Sequence, residues 1–181
     1  MTTTAPRYDT SARLFSGLLR HFADLRDMSH GDDAVTREEK EAHFSTSAEL
    51  LSPVVHEVLG QLDESLLQGQ GSVADTGVVR TADGGLAREW SLGWDEQRRR
   101  GIAPVRVLAF YGAGFHHPHL RGGTVGEWPF NVFDEEQAAL ERGTIEAIAA
   151  AEIHNLVFEA DFRIVPATTA HAPARGQGFI R

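Results

Sequence analysis

A short run of histidines between glycines is the part of this sequence best suited to chemistry. Within residues 112–123, GAGFHHPHLRGG, it places His116, His117 and His119 in four positions and follows them with Arg121. Imidazole is the commonest metal ligand among side chains, and its ordinary pKa lies close to neutrality. Three of the nine histidines of the chain lie in this one segment, which indicates a site that binds a metal ion or moves protons.

The spacing of His117 and His119 suits the binding of one metal ion by both rings. Residues two apart on an extended backbone point to the same face, and Pro118 between them restricts the backbone. His116 then points to the opposite face. Two other interpretations remain open at this stage: acid–base catalysis without a metal, and an exposed loop whose histidines only hydrogen-bond to the backbone.

Four other histidines lie in segments whose hydrophobic pattern predicts a helix or a strand. His21, His43 and His56 fall in helical segments without partners at ligand spacing, which favours structural or surface roles. His154 opens a segment of alternating apolar and polar residues, which predicts a strand over residues 154–165. Such a strand could lie beside the histidine strand in a small barrel and bring His154 to the same metal ion.

Residues shortly after the histidine run supply further candidates. Glu127 could be an oxygen ligand or, with His116, an acid–base catalyst. Arg121 has the planar fork that grips a substrate carboxylate, and an ion pair with Glu127 or Asp134 is the alternative. Trp128 could line a substrate pocket, whereas Trp90 and Trp94, at strand spacing, are typical of a core.

Composition excludes several classes of function. The chain has 181 residues, a formal net charge of −9 and no cysteine. Such an acidic surface repels a phosphate backbone, so nucleic-acid binding is not expected, and the basic run Arg98–Arg100 reads as a solvated turn. Without cysteine, any metal ion must be held by nitrogen and oxygen ligands. No signal-peptide pattern or membrane-length apolar run is present, and we expect a cytoplasmic protein without a membrane partner.

The hydrophobic period changes near residue 70. Residues 10–68 carry apolar residues at helical spacing, and Thr36 to Glu39 has the form of a capping box. Residues 76–165 then read mostly as antiparallel strands, with a hairpin turn at Asp83-Gly84-Gly85 and a buried strand at 104–111. One helix is predicted near 134–142, opened by Asp134 and Gln137. Residues 144–153 show no decisive pattern.

The arrangement of glycines and histidines resembles the two metal-binding motifs of the cupin superfamily. VRVLAFYGAGFHHPH is similar to the approach and the His-x-His pair of the first motif, at His117 and His119. Gly143 and His154 have the separation of the second motif. The resemblance covers residues 77–165, and it implies a β-barrel with a divalent ion held by His117, His119 and His154, together with Glu127.

These patterns predict an α+β protein of one domain. An N-terminal helical segment (1–70) packs on a core (71–166) that is an antiparallel sheet or small cupin-like β-barrel with one inserted helix, followed by a flexible tail (167–181). We expect a small metal-dependent enzyme of the lyase, isomerase or oxygenase class, acting on a polar or carboxylate-bearing small molecule. The ion would be Fe, Mn, Ni or Zn. The alternative is a non-catalytic protein that binds a small ligand or haem, and a homodimer is compatible with either.

Overall fold

The computed structural model describes residues 10–31 and 33–170, with side chains from Leu18 onward. In this part of the chain the elements, in order, are α1 (Thr10–Asp27), α2 (Arg37–Leu62), β1 (Gly71–Asp75), β2 (Val79–Arg80), β3 (Leu86–Trp94), α3 (Asp95–Arg99), β4 (Val105–Tyr111), β5 (His119–Gly122), β6 (Glu127–Pro129), α4 (Glu135–Leu140), α5 (Arg142–Glu159) and α6 (Pro166–Ala170). A π-helical turn, Asp63–Leu67, extends α2, and a 3₁₀ turn, Phe162–Ile164, precedes α6.

The six strands form one antiparallel sheet in the spatial order β1-β3-β4-β5-β6, with β2 also pairing to β3. Its two faces differ, as the alternation of side chains along a strand requires. On β4 the residues Val105, Val107, Ala109 and Tyr111 are buried, while those between them are only half-buried. Helices α2 and α5 pack against the buried face. The opposite face, which we call the open face, carries the half-buried and exposed side chains of the strands.

The core lies between the buried face and helices α2 and α5. Trp90 and Trp94 of β3 are fully buried there, as predicted. Their indole N–H groups are both satisfied: that of Trp90 donates to Ser52 Oγ at 3.0 Å, and that of Trp94 donates to the carbonyl oxygen of Ile164 at 2.6 Å. Burial of each large apolar side chain stabilises the fold by about 1.5–3 kcal/mol, so this layer is the main source of stability.

A buried polar network joins α2 to the sheet within this core. The guanidinium of Arg88 donates to Asp75 Oδ2 at 2.8 Å and to Ser52 Oγ at 3.0 Å. It also donates to the carbonyl oxygen of Ala48 and forms an ion pair with Glu49 at 2.8 Å. These hydrogen bonds hold the pKa of Asp75 down, at about 2. A charge this deeply buried is tolerated because its donors are satisfied.

The predicted helix caps, the hairpin turn and the buried strand are confirmed. Thr36 caps α2 with the predicted capping box, in which Glu39 accepts from the Thr36 N–H at 2.8 Å. Asp134 caps α4 by accepting from the Gln137 N–H at 2.7 Å. The turn at Asp83-Gly84-Gly85 joins β2 to β3 as an antiparallel hairpin, and the buried strand predicted at 104–111 is β4.

The α+β class, the N-terminal helices and the antiparallel sheet are confirmed, but the sheet is open. It runs as a path from β1 to β6, so the described residues form no cupin-like barrel. The strand predicted over residues 154–165 is wrong, because α5 extends to Glu159 and the 3₁₀ turn follows. Buried residues recur along α5 at helical spacing, whereas Phe158, expected on a strand's inner face, is 80% exposed.

Two further sequence expectations meet the structure only in part. The tail predicted at 167–181 begins within α6, which ends at Ala170, and residues 171–181 lie outside the described part of the chain. Among residues 10–31 and 33–170, no helix combines the length and the apolar character needed to span a membrane.

Candidate functional site

The histidine run connects β4 to β5 at one end of the sheet. Its upstream end is held by Arg37 at the start of α2, whose guanidinium donates to the carbonyl oxygens of Tyr111 and Gly112 at 3.2 and 3.0 Å. The same guanidinium lies 3.7 Å from the centroid of the Tyr111 ring. Downstream, the N–H of Phe130 donates to the carbonyl oxygen of Pro118 at 3.0 Å. The run is therefore fastened to α2 on one side and to the chain after β6 on the other.

Three imidazole rings meet at this end of the sheet. His117 and His119 lie with ring centroids 4.4 Å apart, as their spacing predicts. The third ring is that of His21 on α1, whose centroid is 3.8 Å from that of His117, with the planes at 78°. We call His21, His117 and His119 the histidine triad. His21 is only 5% exposed, so α1 buries this side chain against the histidine run.

The rings of the triad are neutral and have unused nitrogen atoms. Burial lowers the pKa of His117 to about 3, and it also lowers the pKa values of His21 and His119. The Nδ1 atoms of all three rings are buried, and none of them has a hydrogen-bond partner among the described residues. An unprotonated imidazole nitrogen is the form that binds a metal ion or accepts a proton.

The open face continues the site away from the triad. His119 stacks on Phe110 with ring centroids 5.5 Å apart, and Phe115 meets His119 edge-on at 5.0 Å. The Arg121 guanidinium lies 4.8 Å from the centroid of the Phe110 ring. Glu127 pairs directly opposite Arg121 in the sheet, and its charge raises the pKa of His119 against the lowering by burial. The cation, the carboxylate and the triad thus share one surface.

Helix α5 supports this surface from the other side of the sheet. Glu152 is 1% exposed, and its Oε1 accepts from both the N–H and the hydroxyl of Thr124 at 2.6 Å. A Cβ on Gly122 would stand 2.6 Å from Glu152 Oε1, and one on Gly123 would stand 2.7 Å from Arg106 Nε. The glycines after Arg121 are therefore required for close approach of the carboxylate beneath the turn.

The predicted site residues are only partly brought together. His117, His119, Arg121 and Glu127 lie at the end and the open face of the sheet. His116 is exposed in the turn beside them.

Two predicted residues lie elsewhere. His154 is exposed on α5, where its ring contacts Phe158 and its Nδ1 lies 3.2 Å from Asn155 Oδ1. The strand that was expected to carry it to the histidine run does not exist. Trp128 pairs opposite Leu120 and packs against the core, so it belongs to the other face of the sheet from Arg121.

Sequence reasoning missed three residues at the site. His21, expected to be structural or surface, completes the triad, and Asp24 and His30 lie beside it, both almost fully buried. Asp24 follows His21 at the i+3 position, which puts both on one face of α1. The spacing of a histidine and an aspartate by three residues was the signal that the sequence offered. Such spacing is common on helices, so it does not indicate a site unless the contact of His21 with His117 is known.

A polar cleft of about 270 Å³ lies elsewhere, between α3, the 3₁₀ turn and α6. Arg99 and Arg163 line it, but each is paired, with Glu96 and Asp161 respectively, at 2.6 and 2.7 Å. Because its cations are already neutralised, this cleft offers less to a charged ligand than the surface around Arg121.

Within residues 10–31 and 33–170, no three histidine, aspartate or glutamate side chains are already arranged to hold a metal ion. The triad would therefore have to turn its rings to do so. Comparison with known proteins gives no further guide to the site: no protein-family model, no curated protein and no solved structure matches this chain.

Proposed function

We propose that the protein is a small metal-dependent enzyme whose divalent ion is bound by His21, His117 and His119. The observation that carries the proposal is the packing of three neutral imidazoles, ring against ring, whose buried Nδ1 atoms have no hydrogen-bond partner in the described part of the chain. Leaving buried polar atoms unsatisfied costs about 1–3 kcal/mol each. A cluster of three such atoms is expensive as a purely structural feature and is accounted for by a ligand that uses them.

The donor set fits a first-row transition metal. All three donors are uncharged nitrogen atoms, a set that suits Fe, Mn, Ni or Zn and leaves positions for substrate. Rotation of the rings about their side-chain bonds is needed to converge them, and the half-buried state of His117 and His119 leaves room for it. His154, expected from the cupin resemblance, is replaced in this proposal by His21.

The surface beside the triad supplies the parts that a carboxylate-bearing substrate needs. Arg121 forms no ion pair with a described residue, so its guanidinium is free to bind a carboxylate in bidentate fashion. Phe110 lies under that guanidinium and beside His119, and it gives an apolar floor between the anion site and the triad. A bound ion would polarise a substrate oxygen or acidify a water molecule, and Glu127 would take up or return the proton.

Metal analysis of the full chain, purified without an affinity tag, tests this proposal. We expect a bound transition metal in the wild type, and its loss in the variants His117→Ala and His119→Ala. The matched control is His154→Ala, which removes an exposed histidine from α5 and is expected to keep the metal. Circular dichroism should show all three variants folded, with stability changes within about 1–2 kcal/mol.

The same measurement can overturn the proposal. Wild-type protein that binds neither Zn²⁺ nor Co²⁺ at micromolar concentration would contradict it. So would equal metal content in the wild type and in the double variant His117→Ala/His119→Ala. Metal loss in His154→Ala would return the centre to the site that the cupin resemblance implies.

A further inference from the structure

The open face carries a second arginine beside Arg121. Arg106 of β4 alternates with buried residues, so its side chain lies on this face, and 38% of that side chain is exposed. Its Nε atom is buried and has no hydrogen-bond partner among the described residues. Its ion pair with Glu89 is long, because Nη1 and Oε2 are 3.9 Å apart, which is beyond hydrogen-bond distance. The Arg106 guanidinium therefore has donors that a ligand can use.

The position of the Arg106 guanidinium depends on Gly123. A Cβ on Gly123 would stand 2.7 Å from both Nε and Nη2 of Arg106, so the guanidinium packs against the bare backbone of this glycine. Any larger residue at position 123 would occupy that space. A side chain that is already held against the sheet loses less conformational entropy when it binds a ligand than a freely rotating one does. Arg106 is thus a cation whose place on the open face is set before a ligand arrives.

The register of the sheet separates the two arginines by an apolar side chain. Leu108 of β4 pairs opposite Arg121 of β5 and is half-buried on the open face. Arg106 lies two residues before Leu108, which is about 7 Å along the strand. The two guanidiniums diverge from there, since one lies against Gly123 and the other over Phe110. One small anion cannot contact both, whereas a molecule with an anionic group at each end and an apolar middle can.

We infer that the substrate is a dicarboxylate, with one carboxylate bound by Arg121, the other by Arg106, and the methylene chain between them lying on Leu108. The guanidinium fork matches the geometry of a carboxylate at either end. Glu89 competes for Arg106, and its long ion pair is the one that the ligand would replace. The inference rests on the proposed function, in which Arg121 binds a carboxylate, and it adds the second carboxylate and the distance between the two.

Calorimetry on the full, untagged chain with glutarate, malonate and butyrate tests the inference, and the metal content of the same sample is measured alongside. We expect glutarate to bind about tenfold more tightly than butyrate, which has a single carboxylate. Malonate carries the same charge as glutarate but is too short to reach both arginines, so it should lack this advantage. In Arg106→Met the advantage of glutarate should disappear, while butyrate should bind as it does to the wild type.

Matched variants separate a specific contact from a change in net charge. Arg98→Met removes an exposed cation that pairs with Asp95, and it should keep the preference for glutarate. Glu89→Gln removes the carboxylate that competes for Arg106, so it should tighten glutarate binding about threefold and leave butyrate binding unchanged. Glu64→Gln removes the same charge from an exposed position after α2 and should change neither. Circular dichroism checks that each variant is folded.

The possible outcomes separate this inference from the proposed function. Metal-loaded protein that binds glutarate no better than butyrate, or binds neither, overturns the dicarboxylate site and leaves the metal centre standing. Protein that prefers glutarate as expected but holds no metal keeps the dicarboxylate site and contradicts the proposed function. Equal losses of glutarate affinity in Arg106→Met and Arg98→Met would also overturn the site. If Arg106→Met does not fold, Glu89→Gln decides, and an unchanged affinity for glutarate there overturns the inference.

Discussion

The ring of His21 stands edge-on to the ring of His117, with their centroids 3.8 Å apart. The two residues come from opposite halves of the chain, one from α1 and the other from the connection before β5. Edge-to-face packing needs no charge on either ring, and burial keeps both uncharged by lowering both pKa values. The contact joins two neutral rings, and it ties the N-terminal helix to the histidine run.

Acidification should destabilise the protein before its carboxylates titrate. The pKa of His117 is about 3 and that of His30 about 4 in the folded state, against 6.5 in the unfolded chain. Between these values the unfolded chain binds more protons, so stability falls as pH falls below 6.5. Each such imidazole contributes a slope of about 1.4 kcal/mol per pH unit.

Urea denaturation of metal-free protein at pH 7.5, 6 and 5 measures this slope. The variant His117→Ala should show a shallower loss than the wild type, since one imidazole has been removed. A free energy of unfolding that stays constant from pH 7.5 to pH 5 would contradict the lowered pKa values.

Replacement of Arg121 should weaken the binding of small carboxylates. Arg121→Ala removes the cation over Phe110. It also removes the charged hydrogen bond that Arg121 would donate to a bound carboxylate, which is worth about 1.5–3 kcal/mol. We expect the dissociation constant for benzoate, measured by calorimetry on the metal-loaded protein, to rise about tenfold or more. Arg98→Ala, which removes an exposed arginine paired with Asp95, should leave it unchanged. If both variants raised the dissociation constant equally, the effect would come from the net charge of the protein, and a carboxylate site at Arg121 would be contradicted.

Arg88→Met should be among the more destabilising substitutions in the core. It removes both Asp75 hydrogen bonds and the donor to Ser52, and it leaves the Asp75 carboxylate without its partner. Breaking a fully buried ion pair costs about 3–5 kcal/mol, and because the Asp75 side chain keeps 22% exposure we expect about 2–4 kcal/mol.

Chemical denaturation of Arg88→Met beside Arg98→Met measures this effect. The exposed pair of Arg98 with Asp95 is worth less than about 1 kcal/mol, so the second variant should unfold almost as the wild type does. A similar loss in both would mean that the buried network around Ser52 adds nothing.

Gly122→Ala, at the end of β5, and Gly126→Ala, just before β6, form a matched pair. A Cβ at Gly122 would lie 2.6 Å from Glu152 Oε1 and 2.7 Å from Val125 Cγ2, whereas one at Gly126 meets nothing within 4 Å. We expect Gly122→Ala to lower the free energy of unfolding by about 1–3 kcal/mol, as overpacking does. Gly126→Ala should be neutral or slightly stabilising. Thermal unfolding of both variants checks this, and a reversed order would contradict the close approach of Glu152.

The elements that could be predicted from sequence are those specified by neighbouring residues. The caps at Thr36 and Asp134 and the hairpin turn at Asp83 depend on hydrogen bonds between residues that are only a few positions apart in the sequence. Residues 154–165 were misread because alternation there also fits a helix end followed by a 3₁₀ turn. The packing of α5 against the sheet, which buries residues at helical spacing from Ile145 to Leu156, is a tertiary property and decides for the helix.

The candidate site was half predictable for the same reason. His117 and His119 share a face through local backbone geometry, so their spacing sufficed. His21 reaches His117 only through the packing of α1, which no pattern of neighbouring residues encodes. The expected ligand His154 followed from a separation to Gly143 that a helix satisfies as well as a strand does, so spacing alone could not distinguish them.

Arg37 and Glu152 give the histidine segment a property that its composition does not suggest. A run rich in glycine loses much conformational entropy when it becomes ordered. Here the carbonyl oxygens at its start are held by Arg37 and the turn after it by Glu152, so that ordering accompanies folding. A ligand bound there would meet a backbone that is already ordered, so the entropy of loop closure would not reduce its affinity.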